Sequence, residues 1–191
     1  MITDSRNFKT IVNPNPDEIR NAQSLAGKIS HNRREGFNGS VSQNVSGILA
    51  EILFHRKLML NFDDSTDGHD GGADVILNGK RIDIKTQRRR SETQLYFAQD
   101  LNAWQVDNPE LRTDVYLFTS HNLTTNQIEF LGWLRKWDMK REWHHRKGEQ
   151  RRGMSPKIPP VQSDCYVIPI KALNPFSFGS FAFEMECFST T

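Results

Sequence analysis

A chain of 191 residues with 36% apolar and 10% aromatic content has the mass for one globular core, so residues 1–191 are expected to form a single domain. No apolar run approaches the ~18 residues of a membrane span, and two cysteines are too few for a disulfide framework, which excludes membrane-embedded and cystine-stapled classes. A formal charge of only +2 leaves any polyanion-binding surface to the distribution of charge along the chain. The polar start Met1-Ile-Thr-Asp-Ser-Arg6 lacks the apolar core of a signal peptide, and Cys165 and Cys187 lack metal-ligand spacing, so a soluble, unprocessed, cytoplasmic protein is expected.

In chain order, residues 1–16 form a lead-in ending at Asn13-Pro-Asn-Pro16, where Asn15 can cap a helix with Pro16 in its first turn. Asp17 and Glu18 suit the positive end of that helix, which runs to about His31. The segment Arg33 to Gly39 breaks it, and a second helix starts near Ser40 or Ser42. Val45, Ile48, Leu49, Ile52 and Leu53 recur there at helical spacing, a core-facing stripe. Residues 61–73 make an Asp- and Gly-rich loop. Next comes Asp74-Val-Ile-Leu-Asn78-Gly79-Lys-Arg-Ile-Asp83-Ile-Lys85, in which Asn78-Gly79 is a strong signal for a two-residue type I′ hairpin turn, because both central positions need positive φ. Strands follow at 94–98, 113–120 and 127–134, each rich in β-branched or aromatic residues. A short helix is expected near 135–143, a long basic loop over 144–163, and a last strand at Tyr166 to Ile170, with Pro169 at a sheet edge or near the strand end. This order implies an α/β domain, a mixed central sheet flanked by helices.

The hairpin carries the chemistry. With the turn at Asn78-Gly79, Asp74 lies opposite Asp83, and Lys85 falls on the same face by the two-residue period, while Ile82 and Ile84 face the other way. Two opposed carboxylates repel, so a divalent cation between them explains the pattern better than fold stability does. Oxygen donors suit Mg²⁺ or Mn²⁺, and Mg²⁺ takes only one or two carboxylates while keeping several waters. Asp74 and Asp83 supply that number, the Ile84 carbonyl could complete the shell, and Lys85 is placed to orient or deprotonate an attacking water. Glu51 is the only charge in Gly47-Ile-Leu-Ala-Glu-Ile-Leu-Phe54. It either supports the cation or its water, or it is a helix-edge glutamate that reaches solvent or pairs with Arg56.

Charge segregation suggests the substrate. Residues 63–74 hold five aspartates and no Lys or Arg, residues 80–90 hold six basic groups, and residues 135–157 hold nine basic groups against three acids, a net of +6. An acidic cation site flanked by basic surface fits a phosphodiester, although solvated loops have the same composition. Gln87 is a candidate contact to phosphate or water, or an exposed strand-end glutamine. Arg88, Arg89 and Arg90 suit a substrate backbone. Lys140, Arg141, Arg146, Lys147, Arg151 and Arg152 could wrap DNA or simply keep a loop soluble. His144-His145 has no upstream partners for zinc, and His69 is an outer-shell candidate or an ordinary loop histidine. Trp104, Trp133, Trp137 and Trp143 are read as core or interface aromatics, with base stacking the other option.

Gly47-Ile-Leu-Ala-Glu51, the approach Asp70-Gly-Gly-Ala-Asp74, and Asp83-Ile-Lys85 after one short hairpin resemble the PD-(D/E)XK nuclease superfamily, the restriction-endonuclease-like fold. The run Asp67 to Thr86 is similar to small nuclease-like proteins of phages and bacteria, and Glu129-Phe-Leu-Gly-Trp133 resembles a later core strand of such proteins. Ala73 stands where the family has proline, and Asp83 where glutamate is commoner. The resemblance implies an αβββαβ core, a divalent metal held at Asp74 and Asp83, a catalytic lysine at Lys85 and a helix acid at Glu51. The expected activity is Mg²⁺-dependent hydrolysis of DNA. A fold that kept its nucleic-acid or protein binding but lost the reaction, and an RNA-processing nuclease, are the alternatives. Enzymes of this kind often act on both strands as symmetric pairs, which makes a homodimer an expectation.

Overall fold

The computed structural model describes residues 8–31, 40–62, 73–151 and 158–187. Its elements are β1 (Thr10–Val12), α1 (Pro16–His31), α2 (Val41–Lys57), β2 (Val75–Leu77), β3 (Lys80–Arg89), β4 (Ala98–Asn102), α3 (Ala103–Asp107), β5 (Val115–Asn122), β6 (Gln127–Arg135), β7 (His144–His145), β8 (Cys165–Pro169) and α4 (Phe178–Cys187).

Both long helices begin on the side chains the sequence nominates. The Asn15 Oδ1 accepts from the Glu18 N–H at 2.9 Å while the Glu18 carboxylate accepts from the Asn15 N–H at 2.7 Å, a reciprocal cap with Pro16 in the first turn. Ser40 and Gln43 make the same box at the start of α2.

Five strands form a mixed sheet in the order β1-β6-β5-β3-β2, and β4-β8-β7 form a separate antiparallel sheet. Within the large sheet β3 and β5 are parallel, so the chain must cross over between them, and it does so through β4 and the five-residue α3. The alternation of strand side chains then makes two cores. On one face, Ile82, Ile84, Val115, Leu117, Ile128 and Phe130 pack with Ile48, Leu49, Ile52 and Leu53 of α2 and with Phe181 and Met185 of α4. On the other, Tyr116, Phe118, Leu131 and Leu134 meet Leu101 and Ile168 of the small sheet. The α/β class expected from the sequence is what the chain adopts. Among the described residues, the helix α2, the β2–β3 hairpin, a crossover and the parallel β5 follow one another, and no helix is long and apolar enough to cross a membrane.

Several elements differ from expectation for identifiable reasons. The lead-in contains β1, three β-branched or aliphatic residues that pair antiparallel with β6. Lys9, just before it, is anchored by Glu92 at 2.7 Å and by the buried Glu129 at 3.3 Å, whose other oxygen accepts from the Thr93 N–H. The strand expected at 94–98 is a turn closed by the Phe97 N–H on the Gln94 carbonyl, and pairing starts at Ala98. The helix expected near 135–143 is two short 3₁₀ turns, because the Lys136 ammonium is drawn to the Asn108 and Leu111 carbonyls and no apolar stripe continues past Trp137. The basic loop begins with β7, and β8 lies in the middle of its sheet with Pro169 at its end. Helix α4 escaped the sequence reading, although Phe181 and Met185 show its helical spacing.

Gly132 of β6 sits where the 173–174 segment crosses the sheet. A Cβ there would lie 2.5 Å from the Asn174 carbonyl oxygen and 2.7 Å from the Leu173 Cβ, and its φ of +156° disfavours a side chain. Gly132→Ala should therefore cost about 2–4 kcal/mol, read as a fall in Tm of roughly 5–15 °C in thermal unfolding followed by circular dichroism. An unchanged Tm would show that the crossing segment yields freely.

Candidate functional site

The hairpin forms as expected. Asn78 and Gly79 have φ of 50° and 76°, and the register runs Leu77↔Lys80, Ile76↔Arg81, Val75↔Ile82. One step further the geometry changes. Asp74 does not continue the ladder to face Asp83; its N–H donates to the Ile82 carbonyl at 2.8 Å and its carboxylate accepts from the Ile84 N–H at 2.6 Å. The physical reason is that a half-buried Asp74 directly opposite the buried Asp83 would repel it, whereas at the edge of β3 an unpaired backbone donor is there to be accepted. The N–H and C=O of one strand residue point to the same side, so the Ile84 carbonyl is directed at this edge too.

Asp83 and Lys85 share the face of β3 turned toward the small sheet, and the Lys85 Nζ lies 2.7 Å from the Asp83 Oδ1. Asp83 is buried beside Tyr116, its parallel-register neighbour, whose hydroxyl donates to the Gln105 carbonyl in α3 at 2.8 Å. Burial first, and then the nearby Asp83 charge, push the Tyr116 phenol well up, so it stays neutral. Tyr116 is a supporting residue that sequence pattern does not reveal, because the pairing of β3 with β5 skips the 25 residues of crossover 90–114.

Glu51 arrives from the opposite face. In α2 every residue from Ile48 to His55 is buried except Glu51, which is half-buried. Arg56, the alternative partner, is held by Glu18 at 2.8 Å and by the Asn13 carbonyl. At the edge of β3 the two faces of the sheet meet, and Asp74 stands there as the common neighbour of Glu51, Asp83 and Lys85. Its carboxyl is raised well above the ordinary aspartate range, by burial first, then by the charges of Glu51 and Asp83; Lys85 and the Ile84 N–H act in the opposite direction.

Three acids against one ammonium leave net negative charge at this edge, in a donor set of oxygens alone, which fits a hard divalent cation. Among the described residues, no three or more His, Cys, Asp or Glu side chains form a ready-made metal cage. The Gly-rich approach 63–72, including His69, lies outside the described residues.

The basic candidates divide. Gln87 is half-buried and its Oε1 accepts from Arg89 at 2.9 Å. Arg88 is exposed on the helix side, donating to the Ser42 Oγ at 2.7 Å. Arg89 runs between the sheets, donates to the Ala98 carbonyl at 2.6 Å and lies 4.8 Å over the Phe97 ring; it is a brace, not a free phosphate contact. Burial lowers its pKa, opposed by Asp100 and Glu129. Arg90, Lys140, Arg141, Arg146 and Lys147 are exposed, and Arg152 lies outside the described residues. Arg151 is removed from the DNA-contact set as well, because it grips Asp100 through two nitrogens and also the Pro159 carbonyl. Trp133 and Trp143 are buried, whereas Trp104 and Trp137 are exposed.

Arg151→Ala should thus lower stability by about 1–2 kcal/mol and, if the basic surface binds DNA, leave the salt dependence of that binding unchanged. Arg90→Ala should flatten that dependence by about one unit of slope in a plot of log affinity against log salt. Equal slopes for all three proteins would remove Arg90 from the interface.

Comparison with protein-family models, with curated proteins and with solved structures finds no match.

Proposed function

We propose that this chain is a metal-dependent nuclease that hydrolyses DNA phosphodiesters. The observation that carries the reading is the Lys85 Nζ 2.7 Å from the Asp83 Oδ1 on β3, with the Asp74 carboxylate held on the Ile84 N–H at the adjoining strand edge. Asp74 and Asp83 would hold Mg²⁺ or Mn²⁺ with the Ile84 carbonyl, and Glu51 would support them. The cation supplies charge neutralisation at the phosphate and a more acidic water. The chain's own part is positional. The Ile84 N–H fixes the Asp74 carboxylate, Tyr116 and the surrounding core fix Asp83, and the Asp83 carboxylate holds the Lys85 Nζ. From there the Lys85 ammonium orients the attacking water and can donate a proton from Nζ toward the developing charge. Exposed Arg90, Lys140, Arg141, Arg146 and Lys147 supply the phosphate-binding surface.

Plasmid and linear DNA should be cut in Mg²⁺ or Mn²⁺ and spared in EDTA. Wild-type protein inert on duplex, single-stranded and branched DNA alike would end the nuclease reading. The closed Asp83–Lys85 ion pair also suits a binding module that has lost the reaction. Calorimetric titration with Mn²⁺ separates the two: binding abolished by Asp74→Ala supports the nuclease, and no binding supports the module. A symmetric pair of copies acting on both strands is part of the proposal, and a monomeric sedimentation profile in the presence of DNA would remove it.

A further inference from the structure

The acid–lysine site is recessed. Asp83 is 5% exposed and the Lys85 side chain 23% exposed, and both lie on the face of β3 turned toward the small sheet, with Lys85 the more accessible of the two. Along that face of β3 the order is Asp83, Lys85, Gln87, Arg89, and Lys85 to Arg89 spans about 13 Å at ~3.3 Å per residue. From Gln87 the row continues by contact: Gln87 accepts from Arg89, Arg89 lies over the Phe97 ring, and the Tyr96 ring stands edge-on to Phe97 with centroids 4.9 Å apart. Phe97 is pinned at both backbone ends, its N–H on the Gln94 carbonyl and its C=O on the Ile170 N–H, each at 3.0 Å. Tyr96 is therefore presented on a rigid support while 78% of its surface is open, more than Trp137, Phe183 or Trp104.

Single exposed aromatics are ordinary on a protein surface. What sets Tyr96 apart is its contact path through Phe97 and Arg89 to Gln87, the next residue after Lys85 on the same face of β3. We propose that the site takes a single-stranded DNA end or frayed strand in preference to an intact duplex, with Tyr96 as the ring on which a base stacks while the backbone follows β3 to Lys85. A base inside a duplex already has stacking partners on both faces, whereas an unpaired base has a face to offer, and aromatic stacking is indifferent to base identity. A duplex would also have to bring a backbone on its outer rim into a recess between two sheets. The substrate is thus chosen by strand state, with little dependence on sequence. This inference rests on the nuclease reading for its meaning, but its test does not require cleavage.

The experiment is fluorescence anisotropy in EDTA, at fixed salt, with an end-labelled 20-nucleotide single strand of mixed sequence and its blunt duplex. Wild-type protein should bind the single strand more tightly. Tyr96→Ala should weaken single-strand binding about 5–100-fold and change duplex binding less than about twofold, and Tyr96→Phe should stay near wild type because the ring is kept. Tighter duplex binding by the wild type, no loss with Tyr96→Ala, or equal loss with Tyr96→Phe would each overturn the proposal. Cleavage of either DNA in Mg²⁺, measured in parallel, decides the nuclease reading separately: a protein that cuts but shows no Tyr96 effect retains the reaction and loses only the strand preference.

Discussion

Lys85→Ala should lose DNA cleavage by a factor of about 10²–10⁴ while binding Mn²⁺ at least as tightly as the wild type. The two halves of that expectation come from one geometry. The Lys85 ammonium, 2.7 Å from Asp83, is the positive charge that offsets the acids Asp83, Asp74 and Glu51. Removing it takes away the group that orients the water. It also leaves the carboxylates more negative, which strengthens their attraction for a cation. The buried Asp83 then loses the Lys85 ammonium, so the metal-free variant should be less stable by about 1–3 kcal/mol, and Mn²⁺ should restore part of that loss. A purely structural lysine would behave differently: the variant would lose stability and cutting together, and Mn²⁺ would not separate them. Cleavage within about tenfold of wild type by a folded Lys85→Ala protein would remove this lysine from the reaction.

The sequence is most legible where local chemistry decides. Asn78-Gly79 has the positive φ values its turn demands, Asn15 and Ser40 cap the helices they precede, and the α2 stripe from Ile48 to Leu53 is buried. It is least legible where the partner is distant. Nothing local announces that β3 runs parallel to β5, so Tyr116 beside Asp83 is invisible in the linear pattern. Arg89 and Arg151 look like their exposed neighbours in composition, and only the position of β4, with Asp100 and the Ala98 carbonyl, turns them into braces. The Asp74 side chain shows the limit within a single hairpin. The two-residue period puts it opposite Asp83, but the period holds only while backbone pairing does, and pairing stops at Val75↔Ile82. Beyond that point the electrostatics of the carboxylates takes over. Asp74 moves to the edge, where it accepts the Ile84 N–H and meets Glu51.

That placement gives the second large effect: Asp74→Asn should abolish cleavage and, in metal-free buffer, make the protein more stable. Asparagine is nearly the same shape, and its Oδ1 can still accept the Ile84 N–H, so the edge contact survives. What disappears is a negative charge held in a half-buried place beside two others. The sign follows from protonation. A carboxyl raised in the folded state stabilises the fold when protonated; that contribution is full below the ordinary aspartate value of about 3.9 and is lost as pH rises through the elevated folded-state value. As pH rises above the ordinary aspartate value the wild type therefore carries the cost of its raised carboxyl, and the variant does not. Relieving one such functional-site strain is worth about 1–2 kcal/mol, or roughly 2–8 °C in Tm for a chain of this size. The gain should vanish in acid, where the wild-type carboxyl is protonated. In excess Mn²⁺ the order should reverse, because the wild type gains the cation's binding energy and Asp74→Asn gains little. Thermal scans of both proteins at about pH 3.5 and 7.5 in EDTA, and at pH 7.5 in Mn²⁺, contain the whole comparison. A variant less stable than wild type in EDTA at neutral pH would mean that the Asp74 carboxylate is held by favourable partners, and the case for a cation at this edge would fall with it.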